Sequence, residues 1–228
     1  MNKLNLGLIL ISSIVLALVF NAFLPSNLFR SAENSASTLA VTEMVVVEPE
    51  INGRVPSCDF CETELIEAGE IADYIAVAMA TGLTDQQIRS LDIGRSNVQL
   101  ALAHRGPLAE PNPRSVAVHN LVTEVYVVLS GSGTNITGPD LINAEPRPDD
   151  YRAVVFLNGP GQNAEAVRNG TEMQLEAGDV FVIPPGTGHQ FTRIDDHITY
   201  LMVRIDPDKV VPLFDATESE DYLAENLP

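Results

Sequence analysis

Basic residues are scarce in this chain: 13 Lys plus Arg stand against 31 Asp plus Glu, a formal net charge of −18 over 228 residues. So acidic a body repels polyphosphate and anionic lipid, which argues against nucleic acid as a partner, and solubility alone accounts for the charge. Cysteine is scarcer still, limited to Cys58 and Cys61. Neither follows closely on the apolar N-terminal run, so a lipoprotein anchor is not expected. Charged residues make up only 19 %, against 45 % hydrophobic, which describes a globular rather than a disordered chain. The length suits one ordinary domain with extensions.

What is present begins with an apolar run over residues 4–24, preceded by Lys3 and followed by no acidic residue until Glu33. This reads as an export signal, either a signal peptide or an N-terminal membrane anchor over residues 1–24. The body is therefore expected outside the cytoplasm, periplasmic or extracellular, touching a membrane only through residues 4–24. Residues 25–57 read as a linker whose apolar stretch at 44–47 can add an edge strand. A helical extension is expected over residues 58–95. It opens with Cys58-Asp-Phe-Cys61, which is open to two readings: a redox pair at a helix N-terminus, or a short structural disulfide. One helix is predicted from Glu62 to about Ala80, stopping at Thr81-Gly82. A second is predicted from Thr84, with Gln87 completing its cap, to Gly94. The pair is expected to pack on the outside of the domain that follows.

From Ser96 the pattern changes to short apolar and β-branched runs broken by Gly and Pro, the signature of an all-β sandwich or barrel. Runs at 97–103, 115–119, 124–129, 134–137, 153–157, 172–175, 179–183, 189–194 and 197–205 give about eight or nine strands, the number of a double-sheet jelly roll. That domain spans residues 96–212, and residues 213–228 form an acidic tail. Asn169-Gly170 signals a hairpin turn. The stretch from Gly138 to Gln162, with four prolines and Asp149-Asp150, is unusually long for a loop, and is either a lid over a pocket or a solvated excursion. Asn135-Ile136-Thr137 and Asn169-Gly170-Thr171 match the glycosylation triplet, a pattern frequent by chance.

Two motifs about sixty residues apart carry the chemistry. In the first, His119 is followed after four residues by Glu124 and after six more by Gly131. In the second, Gly178 is followed after five residues by Pro184, then by Gly186 and His189. Together they resemble the two signature motifs of the cupin superfamily, and the segment from Thr123 to Thr134 with the exported N-terminus resembles small exported bacterial cupins. The resemblance implies an all-β fold, a double-stranded β-helix jelly roll, with a short helical N-terminal extension. It departs from the family in two places: Ala117 stands where the first motif usually opens with a further His, and Arg193 stands where the second usually ends in Asn. One of the family's four usual metal ligands is therefore absent.

Strand parity gives these residues a common direction. Ala117 and His119 share a face, as do Glu124, Tyr126 and Val128, and as do His189, Phe191 and Arg193. If those faces are the barrel interior, His119, Glu124 and His189 form a ligand set for a divalent metal: Fe, Mn, Ni or Zn. Tyr126 and Arg193 would bind substrate, the guanidinium by pairing with a carboxylate. The alternative is a barrel in which each His is satisfied by a hydrogen bond and Glu124 by an arginine. His104 is the one candidate for a replacement fourth ligand, and His197 reads as a turn residue. The expectation is thus a metal-dependent protein acting on a small anionic molecule by oxygenase, isomerase or lyase chemistry, or a non-catalytic small-ligand barrel. Homodimerisation through an outer sheet is a further possibility.

Overall fold

In the computed structural model, residues 56–59 and 61–228 are described; the expected export segment at 4–24, the expected linker to residue 55 and its apolar stretch at 44–47 lie outside them. Among the described residues no helix is long and apolar enough to cross a membrane. The chain runs through α1 (Ala68–Thr81), β1 (Gln86–Asp92), β2 (Asn97–Arg105), β3 (Val116–His119), β4 (Thr123–Gly138), β5 (Leu141–Ile142) and β6 (Glu145–Pro146). After a π-helical turn at Val154–Asn158 come β7 (Gly161–Ala164), β8 (Ala166–Val167), β9 (Thr171–Glu176), β10 (Val180–Ile183), β11 (Gly188–Arg193), β12 (Ile198–Asp206) and α2 (Ala216–Asn226).

All pairings are antiparallel, and they build the expected jelly roll. One sheet has the order β1-β2-β12-β4-β10, and the facing sheet has β9-β4-β11-β3-β7-β6. A two-stranded ribbon of β5 and β8 stands apart. The sixteen-residue strand β4 belongs to both sheets: its first half pairs with β12 and β10, its second with β9 and β11. The change of sheet falls at Gly131, whose φ of +73° is a left-handed conformation and whose missing Cβ leaves room for the His197 carbonyl. The first motif needs glycine there for both reasons. The two strands expected at 124–129 and 134–137 are therefore one strand with a bend.

The interior is filled by Ala101, Ala103, Val128, Phe181, Phe191, Tyr200 and their neighbours. On the outer face of β1, β2 and β12, a second cluster packs Tyr74 and Val77 of α1 and Leu223 of α2 over Ile88 and Leu102. The α1 helix sits outside the barrel as expected and stops as expected, at Gly82 in the left-handed conformation, whose N–H donates to Ala78 O. It starts later than Glu62, because Glu64 is drawn away to pair with the buried Arg89 at 2.8 Å.

Three expectations are corrected. The second helix, from Thr84 to Gly94, is instead strand β1: Gln86 to Asp92 pair with β2 around one bulge, and sheet pairing overrides a short helical pattern. The helical extension over residues 58–95 is accordingly half helix and half sheet edge. The strand expected at 153–157 is a π-helical turn, in which Leu157 and Asn158 are buried while Phe156 stays exposed. The acidic tail over residues 213–228 carries α2, opened by a capping box in which Asp215 and Glu218 satisfy each other's backbone N–H groups. Cys58 and Cys61 are joined as a disulfide.

The docking of α2 gives a pH prediction. Tyr74 is fully buried, shares a 2.8 Å hydrogen bond with Ser219 Oγ, and stacks on Tyr222. Burial pushes its phenol from 10.0 up to about 12. A raised folded-state value means the stabilisation is complete below the unfolded value and is lost as pH rises through the folded one. Helix α2 should therefore stay docked to about pH 10 and loosen between 10 and 12, followed by tyrosinate absorbance and circular dichroism. A Tyr74 phenol that titrates near 10 with helicity unchanged would contradict this packing.

Candidate metal centre

His119 ends β3, Glu124 is the second residue of β4, and His189 is the second of β11, so three neighbouring strands deliver the three side chains. The two motifs are also tied directly: the Gly186 N–H donates to His119 O at 2.7 Å. All three side chains are nearly inaccessible, at 5, 1 and 5 % exposure. Glu124 Oε2 lies 3.2 Å from His119 Nε2 and 3.5 Å from His189 Nε2, and one donor from each of the three falls within 4.8 Å of the others. Ligands of one metal ion with bonds of about 2.1 Å sit roughly 3 Å apart, so this donor set fits a divalent ion. Burial holds the His119 imidazole below its ordinary value, which keeps it neutral and able to ligate. Its Nδ1 is buried without a partner among the described residues, so none of them fixes its tautomer from behind.

Glu124 is held from the other side by an arginine. Arg204 lies directly across from it in the β4–β12 ladder and donates from Nε to Glu124 Oε1 at 2.8 Å. Its Nη2 reaches Asp85 Oδ2 at 2.6 Å, and Nη1 reaches Leu157 O. Burial would raise the Glu124 carboxyl, but the charge of Arg204 and hydrogen bonds from His119 and His189 hold it well below the usual carboxylate range. Burial likewise opposes the charge on Arg204, and Asp85 and Glu124 outweigh it. One oxygen of Glu124 is thus committed to Arg204 while the other faces the histidines and accepts from Tyr126 OH at 3.1 Å. Glu124 is arginine-paired, as one sequence alternative has it, and its second oxygen remains with the two histidines.

The three side chains open on a cavity of about 370 Å³, the lower end of the small-ligand range. Ala117 lines it where the usual further His would stand. Tyr126 lines it as expected. Arg193 does not: the β11–β4 register slips between Phe191 and Arg193, and this bulge turns the side chain outward, where it is 68 % exposed and pairs with Asp195. His104 also points elsewhere. It lies at the parity of Leu102, opposite to Ala101 and Ala103, bonds Thr199 Oγ1 at 2.8 Å, and stacks on His197. His197 lies next to Asp196, with which it pairs, and also approaches Ser130.

Other cations take the place assigned to Arg193. Arg105 ends β2 at the inward parity of Ala101 and Ala103, donates from Nε to Tyr200 OH at 2.9 Å, and sits over the Phe191 ring. Arg147 follows β6 and is held by Asn163 and Asn158. The insert between the motifs supplies Arg147, Tyr151, Leu157 and Asn158 to the cavity, so it is a wall of the site. A signal for Arg105 and Arg204 existed in the sequence, since each continues the inward alternation of an apolar strand. Arg147 and Asp85 come from loops that strand parity cannot place.

A family model for the AraC-like ligand binding domain matches residues 163–227, which hold the second motif but not the first. A search of curated proteins finds no match. Among solved structures, a protein of Bacillus halodurans is 12 % identical over 72 % of this chain and 98 % of its own, with a TM-score of 0.36. A cupin protein of Bacteroides fragilis is 18 % identical over 53 % of this chain and 75 % of its own, with a TM-score of 0.30. A cupin 2 conserved barrel domain protein of Salinispora arenicola is 14 % identical over 62 and 82 %, also at 0.30. Similarity at this level says nothing about what this chain binds. The two motifs at their spacing and the jelly roll they close resemble the cupin superfamily, and the family-model match covers the second half of that barrel.

Proposed function

We propose that this protein holds a divalent metal through His119, Glu124 and His189 and uses the surrounding cavity to bind a small anionic molecule. The observation that carries the reading is that the three donors and two arginines without carboxylate partners among the described residues, Arg105 and Arg147, line one cavity. In a chain of net charge −18, two half-buried arginines facing one cavity speak for an anionic ligand. A metal with open positions would supply Lewis-acid or, as Fe(II), oxygen chemistry, the basis for an oxygenase, isomerase or lyase. The residues of the chain supply the rest. Arg105 and Arg147 hold the anion, and Met202 and Leu157 close apolar walls around it. Burial and the Glu124 charge keep the Tyr126 phenol well above its ordinary value, so it serves as a hydrogen-bond donor.

The acid–base inventory favours a second reading, a barrel that binds without turnover. Tyr126 stays protonated, and Asp85, the other carboxylate in the cavity, is tied to Arg204. Export belongs to the same proposal and is supported by the apolar run at residues 4–24. So does a homodimer, supported by the outer face of β4 and β10, where Val125 and Val127 pair with Val182 and Val180 and the latter two are 56 and 63 % exposed.

Thermal unfolding of the chelator-treated chain with added Mn(II), Fe(II), Ni(II) or Zn(II) tests the reading. An ion present at a hundred times its Kd should add about 2.7 kcal/mol of stability. Glu124→Gln should abolish that gain. A gain of equal size in the variant would remove the triad as the ligand set, whereas anion binding that survives Glu124→Gln would favour the metal-free barrel.

A further inference from the structure

The half-buried Arg105 and Arg147 differ from the buried arginines, Arg89 and Arg204, in how they are held. Arg204 and Arg89 are each neutralised by two carboxylates. Arg105 is positioned by the Tyr200 hydroxyl and the Phe191 ring, and Arg147 by the side-chain oxygens of Asn163 and Asn158. Among the described residues, neither has a carboxylate within salt-bridge distance. Neutral partners fix the direction of a guanidinium without cancelling its charge, which leaves a half-buried cation open to pair with an anion in the cavity.

The two come from opposite walls. Arg105 ends β2 in one sheet, and Arg147 leaves β6 at the edge of the facing sheet; both line the cavity that His119, Glu124 and His189 share. Arg105 also lines a side chamber of about 90 Å³ with Tyr126 and His189, and Asn135 lies in that chamber. Asn135 is fully buried, and neither its amide nitrogen nor its oxygen has a partner. Gln99 is a second buried amide without partners, but Asn135 is the one that lines a chamber shared with Arg105 and His189, where a polar group from a ligand or water can reach it. With Nε committed to Tyr200, Arg105 presents its two Nη groups as one fork, the fit of a single carboxylate. Arg147, with Nε and one Nη donor committed to the two asparagines, has donors on Nη left for a second.

We propose that the ligand is a small dicarboxylate that spans the metal site, one carboxylate on Arg105 with the Asn135 amide beside it and the other on Arg147. The proposal rests on the anionic ligand proposed above and adds that it has two charged ends. A cavity of this size limits it to a short chain.

Calorimetric titration of the full chain, chelator-treated and Mn(II)-loaded, with straight-chain dicarboxylates from malonate to adipate and with the monoamide of each provides the test. At least one dicarboxylate should bind about tenfold or more tightly than its own monoamide. R105Q and R147Q should each bring that dicarboxylate down to the affinity of the monoamide. Lysine variants R105K and R147K keep the charge, lose the fork, and should lose at least about tenfold; they serve where a glutamine variant does not fold. Dicarboxylate and monoamide binding alike, or only one of the two arginines mattering, would overturn the two-ended ligand and leave an anion site. No binding of either series would overturn both this proposal and the anionic ligand, while the metal titration above still reports on the triad.

Discussion

Arg204→Met is expected to cost roughly 3–5 kcal/mol of folding stability, the largest effect of any single substitution at the site. Arg204 is fully buried, and its guanidinium is the main cationic partner of Glu124, itself 1 % exposed. Methionine fills much of the volume but leaves Glu124 and Asp85 without their shared cation. Removing one member of a buried pair costs more than the pair contributes, because the other charge remains desolvated. The metal reading adds a signature. A divalent ion on Glu124 Oε2 supplies positive charge to the same carboxylate, so the deficit of Arg204→Met in urea unfolding should shrink when metal is added. A deficit unchanged by metal would mean that Glu124 serves Arg204 alone. A deficit below about 1 kcal/mol would mean that the carboxylate relaxes to solvent.

Gly131→Ala should cost roughly 2–4 kcal/mol without any change at the site's own residues. The left-handed conformation costs an alanine about 1–2 kcal/mol, and here its Cβ would also run into the His197 carbonyl. That carbonyl accepts from Ser132 N, the hydrogen bond next to the point where β4 leaves one sheet for the other. The strand must give up either its bend or that bond. Because Glu124 and Tyr126 lie on β4 before the bend while the β4 partners of β11 lie after it, metal affinity should fall together with stability. Equilibrium unfolding and a metal titration on the same preparation check both. Stability within about 0.5 kcal/mol of the parent would show that the motif glycine is not required by the bend.

The barrel was legible because its signals are local and periodic. Alternation placed Glu124 with Tyr126 and Val128, and His189 with Phe191, and the structure keeps each set together. Parity fails where a strand bulges, and nothing in Phe191-Thr192-Arg193 announces the slip that sends Arg193 outward. The short run from Thr84 to Gly94 carried a plausible helix cap, yet its fate was decided by the exposed edge of β2, a long-range partner. The capping box of α2 is different: Asp215 followed by Glu218 is a local signal that the acidic composition of the tail obscures. The cations of the cavity divide in the same way. Arg105 and Arg204 follow inward alternation, while Arg147 is positioned by asparagines of a long insert, which only the folded chain brings together.

Elemental analysis of the full chain, purified without a His tag beside a His119→Ala/His189→Ala double variant, tests the central claim most directly. The account predicts about one iron, manganese, nickel or zinc per chain, absent from a double variant whose circular dichroism matches the parent. No metal in the parent, even after loading with each ion in turn, would contradict it and leave a barrel in which His119 and His189 only hydrogen-bond to Glu124.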